Sequence, residues 1–246
     1  MKQLNEASLS HFDAENVSDL MWAVFLERVR GAHSSGQFRF IDLGGGTGRF
    51  ADQVLAAFPG SHGVVLDNAA TLLDRNTEHP RKRLLLSGIE DAPLAAVGSF
   101  DIVCFNWSLH HLVMDGYAAT RRAVDGALLA ARDALLPGGH VSVFENLYDG
   151  AVAKGLPGRL IFAITSSRAL TPVARLGGAN TAGVGVCFRS RSGWLDVFDA
   201  NGLTVEATAE DPPWRMPLKR KVFLHTGHVR PGHFWLAPNR AESRAP

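Results

Sequence analysis

The residues with the clearest chemical meaning lie in one short stretch, where an acid is followed by glycines at alternate positions. An apolar run ends at Asp42, and Gly44, Gly46 and Gly48 come directly after it. Glycines at this spacing let the chain turn sharply from a buried strand into a helix, and they let a ligand approach the backbone where a Cβ would clash. Asp42 contributes a carboxylate, which suits an ammonium or hydroxyl group and does not suit a phosphate.

The order of these residues separates the loop from two common nucleotide-binding loops. The dinucleotide fingerprint G-x-G-x-x-G would place its third glycine at the position of Arg49. A P-loop is excluded as well, because no Gly-Lys-Ser or Gly-Lys-Thr follows the glycines. The sequence therefore predicts a glycine loop whose ligand is not held by a phosphate.

Further polar residues follow the ends of other predicted strands. Asp67 lies 25 residues after Asp42 and ends the second strand, where its carboxylate can accept both hydroxyls of a ribose. His110 and His111 follow the fourth strand, and either could take a proton near neutral pH or could simply pack the loop. Glu145, at the end of the fifth strand, is a second candidate base or an anchor for a substrate amine.

These residues must be positioned by alternating strands and helices. Strands are predicted at 38–43, 63–66, 84–86, 101–105, 140–144 and 203–207, and a last strand at one of two further apolar runs, 222–225 or 233–236. Helices are predicted at 18–30, capped by Ser18, and at 50–57, 117–136 and 192–200. The strands are apolar and do not alternate, which is typical of a parallel sheet covered on both faces, with ligands at its carboxyl edge.

Bulk properties favour a soluble enzyme. A chain of 246 residues can form one large α/β domain with additions or two small domains, and its net charge of +1 gives no electrostatic case for nucleic acid or membrane. The first six residues lack a signal-peptide core, and no apolar run approaches the ~18 residues that span a bilayer. Cys104 and Cys187 have no metal-ligand spacing. We expect a cytoplasmic protein without a metal.

Three motifs carry a resemblance to a known family. The D-x-G-x-G-x-G order of 42–48 resembles the first motif of the class I S-adenosylmethionine-dependent methyltransferases. Residues 100–112, with "FDIV" and "LHHL", look like the fourth motif of the small-molecule members, and 135–140 looks like the L-x-P-G-G turn before strand five. The tetrapeptide "NPPY" is absent at 106–109, which argues against amino-methylation of DNA bases.

The resemblance, which covers residues 38–146, implies an α/β, Rossmann-like class I methyltransferase fold: a seven-stranded, mostly parallel sheet with an added lid. It also implies the cofactor S-adenosyl-L-methionine. The cofactor-binding residues expected on this basis are Asp42, Gly44, Gly45, Gly46, Gly48, Asp67, Asn68, Ile89, Glu90, Asn106, Trp107 and His111. Glu90 is preferred for the adenine amine, with Asp91 or the backbone of Ile89 as alternatives.

A single domain is expected over residues 1–246. It comprises an N-terminal helical lid at 1–35, a cofactor-binding core at 38–146, an insertion or second lid at 147–191, and the rest of the core at 192–237. Arginines of the insertion could clamp a carboxylate, and Asn180 with Thr181 is expected to line the substrate pocket. The catalytic candidates are His110, His111, Glu145, Tyr148 and Asn180.

The preferred function is methyl transfer to an O, N or S atom of a small metabolite, as in secondary metabolism. One alternative is a cyclase, in which the amine of the cofactor attacks its own γ-carbon, closes an azetidine ring and releases methylthioadenosine; Tyr148 and the 180–188 loop would enclose it. A second alternative is a non-catalytic cofactor-binding module. A dehydrogenase is disfavoured by Arg49. The expected partners are a small-molecule substrate and a second copy of the chain, without nucleic acid or membrane.

Overall fold

The computed structural model describes residues 17–92 and 94–239, and it is built around one sheet. The strands are β1 (Arg39–Leu43), β2 (His62–Asp67), β3 (Lys82–Leu86), β4 (Phe100–Asn106), β5 (Leu135–Gly150), β6 (Leu203–Glu210) and β7 (Thr226–Pro238). They form a seven-stranded sheet in the order β3-β2-β1-β4-β5-β7-β6. Residues 1–16, the first part of the predicted N-terminal lid, lie outside the described residues.

The pairing of the strands confirms the predicted fold class. Strands β1 to β5 run parallel to one another, and β7 is antiparallel to both β5 and β6. The strand order reverses between β1 and β4, because the chain returns from β3 across the sheet. In open α/β sheets such a reversal opens a crevice at the carboxyl ends of the strands, where ligands bind.

Helices cover both faces of this sheet. They are α1 (Asp19–Ala32), α2 (Arg49–Ala57), α3 (Ala70–Leu73), α4 (Leu94–Val97), α5 (Tyr117–Asp133), α6 (Leu156–Ser166), α7 (Thr171–Leu176), α8 (Arg191–Ala200) and α9 (Leu218–Phe223). One core contains Val124 of α5 and Trp194 of α8, and the other contains Phe25 of α1 and Val54 of α2. Among the described residues, no helix is long and apolar enough to cross a membrane.

Helix α1 is a layer of the core. The Ser18 side chain accepts the N–H of Met21 and so caps the helix, as predicted. Met21, Phe25 and Val29 are buried at helical spacing, and the ring of Phe25 contacts that of Trp235 on β7 at 5.9 Å between centroids. This part of the predicted lid therefore covers a face of the sheet.

Two predicted boundaries are wrong, and pairing explains both. The helix predicted at 117–136 ends at Asp133, because Leu135 is already paired with Phe100 of β4. The strand predicted at 140–144 continues to Gly150, because β7 pairs with β5 over its whole outer length. Of the two candidate last strands, 233–236 lies in β7, whereas most of 222–225 belongs to helix α9 and the turn after it.

Candidate active site

The glycine loop folds back over the end of β2. The N–H groups of Gly44 and Gly45 donate to the carbonyl of Leu66 at 2.7 and 3.2 Å. Gly44, Gly46 and Gly48 have φ angles of +76°, +52° and +73°. These are left-handed conformations that side chains with a Cβ adopt at a cost, so the alternate glycines are required by the path of the backbone.

Packing under the loop adds a second reason for glycine. A Cβ at Gly44 would stand 2.6 Å from the Cβ of Ser108, and a Cβ at Gly45 would stand 2.6 Å from Oδ2 of Asp42. At Gly46, by contrast, the nearest atom to such a Cβ would be 3.6 Å away. The loop therefore packs closely against neighbouring side chains at Gly44 and Gly45, and there is space beside Gly46.

Asp42 lies beneath the loop and is fully buried. Its Oδ1 accepts an N–H of the Asn106 side chain at 2.7 Å, whereas its Oδ2 has no hydrogen-bond partner among the described residues. Burial raises the pKa of Asp42 to about 7, the hydrogen bond from Asn106 opposes this rise, and the charge of Asp67 adds to it. Oδ1 of Asn106 and Oγ of Ser108 are likewise buried without a partner. Three acceptor atoms below the loop are thus unsatisfied.

Asp67, at the end of β2, accepts a hydrogen bond from the glycine loop. Its Oδ2 accepts the N–H of Gly46 at 2.9 Å, and its Oδ1 accepts the N–H of Ala69 at 2.8 Å. Burial raises the pKa of Asp67, while these bonds and the N–H of Asn68 lower it. Each carboxylate oxygen keeps a second lone pair, so the group can still accept two neighbouring hydroxyls.

The end of β3 brings an apolar residue to the loop. Ile89 is buried, and its Cδ1 lies 3.5 Å from the place where a Cβ of Gly44 would stand. Glu90, which the sequence favoured, has an exposed side chain. The structure therefore places Ile89 beside the glycines, and the contact of Glu90 with an adenine amine stays a prediction.

The turn after β4 is unusual at Trp107, which has a φ of +51°. This is a sparsely populated region for a large side chain and must be imposed by neighbours. The N–H of Trp107 donates to the carbonyl of Phe144 at 2.9 Å, and its indole Nε1 donates to Oδ1 of Asn146 at 3.1 Å. Trp107 thus joins the ends of β4 and β5. The sequence did not single out Asn146 or Ser108, which follow strand ends without a motif of their own.

His110, just after β4, and Glu145 form a buried pair; Glu145 was predicted to end the fifth strand but lies within β5, which continues to Gly150. His110 Nδ1 lies 2.7 Å from Oε2 of Glu145, and the backbone N–H of His110 donates to Oε1 at 3.1 Å. Glu145 is fully buried, so its carboxylate acts in a dry environment. We assign the proton to Nδ1 because its partner is a carboxylate, which leaves the lone pair on Nε2.

His111 has a different environment from His110, although their ring centroids are only 4.1 Å apart. Burial lowers the pKa of His111 well below its ordinary value, and the neighbouring His110 lowers it further. His111 is therefore neutral at physiological pH and a poorer base than an ordinary histidine. Of the two histidines, the geometry favours His110 for proton transfer.

The end of the insertion lies against this pair. We call residues 186–190 the return segment. The N–H of Cys187 donates to the carbonyl of His110 at 2.9 Å. The ring of Phe188 lies between two others, with centroid distances of 4.7 Å to His110 and 4.2 Å to Tyr148. The predicted candidates Tyr148, His110 and His111 are thus brought together in one aromatic cluster, in which Tyr148 stacks on Phe188 and the two histidine rings are tilted.

Asn180 is not brought into this arrangement. Its side chain is exposed and makes no hydrogen bond to any residue that the structure describes, whereas its neighbour Thr181 is buried. The carbonyl of Thr181 accepts the N–H groups of Val184 and Gly185, and this turn leaves Asn180 at the surface. The expectation that Asn180 lines a pocket is therefore not supported.

One residue near the loop was missed entirely. Asn76 donates from Nδ2 to the carbonyl of Gly46 at 2.9 Å, and a Cβ at Gly48 would stand only 1.8 Å from its Oδ1. It lies in a polar stretch without periodicity, so nothing in the sequence marks it. Across the described part of the chain, no three His, Cys, Asp or Glu side chains are arranged to hold a metal ion.

Comparisons with known proteins bear on the domain type and the fold. Residues 41–141 match the family model described as a methyltransferase domain. The mitomycin 7-O-methyltransferase MmcR is 21% identical, with a TM-score of 0.54 over 88% of this chain and 54% of that chain. LepI, solved in complex with SAM, is 12% identical, with a TM-score of 0.60 over 96% of this chain and 53% of that chain.

A putative methyltransferase from Bacillus halodurans C-125 is 13% identical, with a TM-score of 0.57 over 90% of this chain and 99% of that chain. This chain spans about half the length of MmcR and of LepI. At these identities the structural likeness shows a shared fold. The comparison with curated proteins gave no match.

Proposed function

Starting from a chain that contains a methyltransferase domain with the class I fold, we propose that it binds S-adenosyl-L-methionine and transfers the methyl group to a small acceptor molecule. The observation that carries this proposal is the buried His110–Glu145 pair. His110 lies two residues after Ser108, and Ser108 packs against Gly44 of the glycine loop. A candidate base thus lies beside the loop that is proposed to hold the cofactor.

The residues around the loop fit such a cofactor. Oδ2 of Asp42 and Oδ1 of Asn106 are buried acceptors without a partner, and an amino acid ammonium would supply donors to that region. Asp67 can accept the two ribose hydroxyls, and buried Ile89 offers an apolar surface for a purine ring. The open side of Gly46 would let the ligand approach the backbone. That LepI was solved with SAM supports the same assignment.

The bound cofactor supplies an electrophilic methyl group on a sulfonium. The role of His110 is to accept a proton at Nε2 from the acceptor as its oxygen or nitrogen becomes the nucleophile. Glu145 keeps Nδ1 protonated, orients the ring and compensates the positive charge that His110 gains. Because both side chains are buried, this compensation is not weakened by water.

We infer that the acceptor atom is an oxygen. An oxygen acid such as a phenol needs a base near neutral pH, which is what the His110–Glu145 pair offers. The name of MmcR, a 7-O-methyltransferase of the same fold, supports this choice. The proposed substrate class is therefore a small hydroxylated metabolite.

The test has two steps. Calorimetric titration with S-adenosylmethionine and S-adenosylhomocysteine measures whether the cofactor binds. Incubation with S-adenosylmethionine and a panel of small phenols and alcohols, followed by mass-resolved chromatography, then measures S-adenosylhomocysteine and methylated product. Wild type should form both, and His110→Gln should bind the cofactor but form little product. A protein that does not bind S-adenosylmethionine contradicts the proposal.

A cyclase that closes an azetidine ring on the cofactor is the second candidate. The observation in its favour is enclosure, since the return segment packs on both His110 and Tyr148. The exposed Asn180 takes no part in that enclosure. Methylthioadenosine formed from S-adenosylmethionine alone would establish this function in place of methyl transfer. Tight binding without any product, with or without acceptors, would instead identify a non-catalytic binding module.

A further inference from the structure

Arg189 is a buried cation that has no hydrogen-bonded anion among the residues the structure describes. Its side chain is 7% exposed, and neither Nε nor Nη2 meets an acceptor within the described residues. A guanidinium in a protein interior is ordinarily paired, because removing an unpaired cation from water is strongly unfavourable. An unpaired one therefore indicates a missing ligand.

The backbone holds Arg189 in this position. Its carbonyl accepts the N–H of Tyr148 at 2.9 Å, and the residue forms a parallel bridge with Leu147 of β5. Helix α6 is pressed against the preceding peptide, since a Cβ at Gly158 would clash with the carbonyl of Phe188. The backbone of the return segment is therefore held on both sides at Arg189.

The groups around the guanidinium are cationic or neutral, with one acid. Its Cζ lies 5.3 Å from the ring of Trp194 on α8, and the indole Nε1 of Trp194 is also buried without an acceptor. Burial lowers the pKa of Arg189, the charge of Arg121 lowers it too, and Asp125 acts in the opposite direction without forming a hydrogen bond to it. Burial raises the pKa of the Cys187 thiol, which is therefore neutral and supplies no counter-ion.

The free atoms of Arg189 lie on one edge of its guanidinium plane. Nε and Nη2 point two parallel N–H groups in the same direction, and this spacing matches the two oxygens of a carboxylate. We propose that this edge is a binding site for a carboxylate, with Nε1 of Trp194 as a neighbouring donor. Two more arginines, Arg121 of α5 and Arg159 of α6, are exposed nearby, and Arg159 lies over the ring of Tyr117 at 5.8 Å. They would attract an anion to the site.

The carboxylate can belong to the methyl acceptor or be a free ion. Assignment to the acceptor rests on the proposed methyl transfer, and it is favoured because Phe188, whose ring contacts that of His110, directly precedes Arg189. The binding of a carboxylate does not depend on the cofactor at all. The carboxylate site and the proposed methyl transfer can therefore be disproved independently of each other.

The first measurement is thermal unfolding in sodium acetate or sodium benzoate against sodium chloride at equal ionic strength. Wild type should gain ~3–6 °C in Tm at a carboxylate concentration tenfold above Kd, with saturation. Arg189→Met should lose this gain and, without carboxylate, should be at least as stable as wild type, because methionine removes the unpaired charge. Arg168→Met, an exposed arginine of the same insertion, is the matched control and should behave as wild type.

A structural role for Arg189 predicts the opposite pattern. If wild type shows no saturable response to carboxylates, or if Arg189→Met responds as wild type does, the proposal is wrong. A fall in the Tm of Arg189→Met below wild type without added carboxylate also contradicts it. Should that variant not fold, Arg189→Lys keeps the charge but loses the paired donors, and a response equal to that of wild type would again overturn the site.

Kinetics with methyl acceptors supplied either as carboxylic acids or as their methyl esters show whether the acceptor provides the carboxylate. If the acceptor supplies it, Arg189→Met should raise KM for the acids about tenfold or more, with little change for the esters and in kcat. Equal effects on acids and esters would assign the site to a free ion. Binding of S-adenosylmethionine, titrated on the same samples, shows separately whether the proposed function itself fails.

Discussion

Glu145 holds His110 at two points: its Oε2 lies 2.7 Å from the ring Nδ1, and its Oε1 accepts the backbone N–H at 3.1 Å. His110 follows β4 and Glu145 lies within β5, the neighbouring parallel strand, in which Phe144 pairs with Asn106 of β4. The carboxylate therefore fixes both the turn that carries the histidine and the orientation of its ring. A base held in this way is positioned by the sheet itself.

Removal of this base should slow transfer without weakening cofactor binding. We expect His110→Gln to lower kcat by ~10²–10⁴-fold, since that is the range for general base catalysis, and Glu145→Gln to lower it less. The dissociation constant for S-adenosylmethionine should change less than threefold (about 0.6 kcal/mol). Steady-state kinetics and calorimetry measure both, with exposed His228→Gln as the control. Unchanged kcat in His110→Gln would exclude the base.

Asp67 should determine cofactor affinity. Asp67→Asn removes a charged acceptor that also holds the N–H of Gly46, and hydrogen bonds to charged groups contribute about 1.5–3 kcal/mol. We expect affinity for S-adenosylmethionine to fall ~10–100-fold, measured by titration calorimetry. Asp74→Asn, an exposed acid just beyond the same strand, should bind as wild type. Equal affinities of Asp67→Asn and wild type would place the ribose elsewhere.

Asp42 should make the stability of the ligand-free protein depend on pH. Its pKa is about 7 in the folded protein and 3.8 ordinarily, so the unfolded chain releases the proton at lower pH than the folded one. The free energy of unfolding should therefore fall as pH rises from about 4 to about 7 and then stay level. Asp42→Asn removes this contribution, which is up to ~4 kcal/mol.

Urea unfolding at pH 5 and pH 8 checks this prediction. From pH 5 to pH 8 the free energy of unfolding should fall in wild type but not, through this group, in Asp42→Asn, so the variant becomes more stable relative to wild type at pH 8. Its affinity for S-adenosylmethionine should decrease. Asp52→Asn would be unsuitable as a control because Asp52 pairs with Lys82, whereas Asp74 is exposed and serves that purpose. Parallel pH dependences for wild type and Asp42→Asn would show that the buried carboxyl does not titrate in this range.

Phe188 should act as a positioning residue for His110. Phe188→Leu keeps an apolar side chain but loses the aromatic ring that contacts His110 at 4.7 Å between centroids, so the imidazole gains freedom. We expect kcat to fall about tenfold, with a shifted pH–rate profile and unchanged affinity for S-adenosylmethionine. Phe223→Leu, on exposed helix α9, is the matched control. If Phe188→Leu lowers only the Tm and leaves kcat and the profile unchanged, the ring has a structural role alone.

Much of the fold was predictable because its signals are local. The glycines at 44–48 and the apolar strands appear as short patterns, and Asp67 and Glu145 stand where those patterns stop. The predicted ends of strands were wrong where pairing with a strand distant in sequence sets them. Residues 145–150 continue β5 because β7, about 80 residues later in the chain, pairs with them, and no local pattern in the sequence reports that pairing.

The sequence by itself determined the class I sheet, the glycine loop and the set of polar residues at the strand ends, because backbone conformation and burial impose short-range patterns on residue types. The tertiary structure alone decided that Glu145 holds His110, that the return segment packs against it and that Asn180 is exposed. It also decided that Nε and Nη2 of Arg189 are buried and meet no acceptor in the described part of the chain. These relations depend on how segments distant in sequence pack together. The role of such a side chain depends on the neighbours that packing brings to it, and the residue type alone does not specify those neighbours.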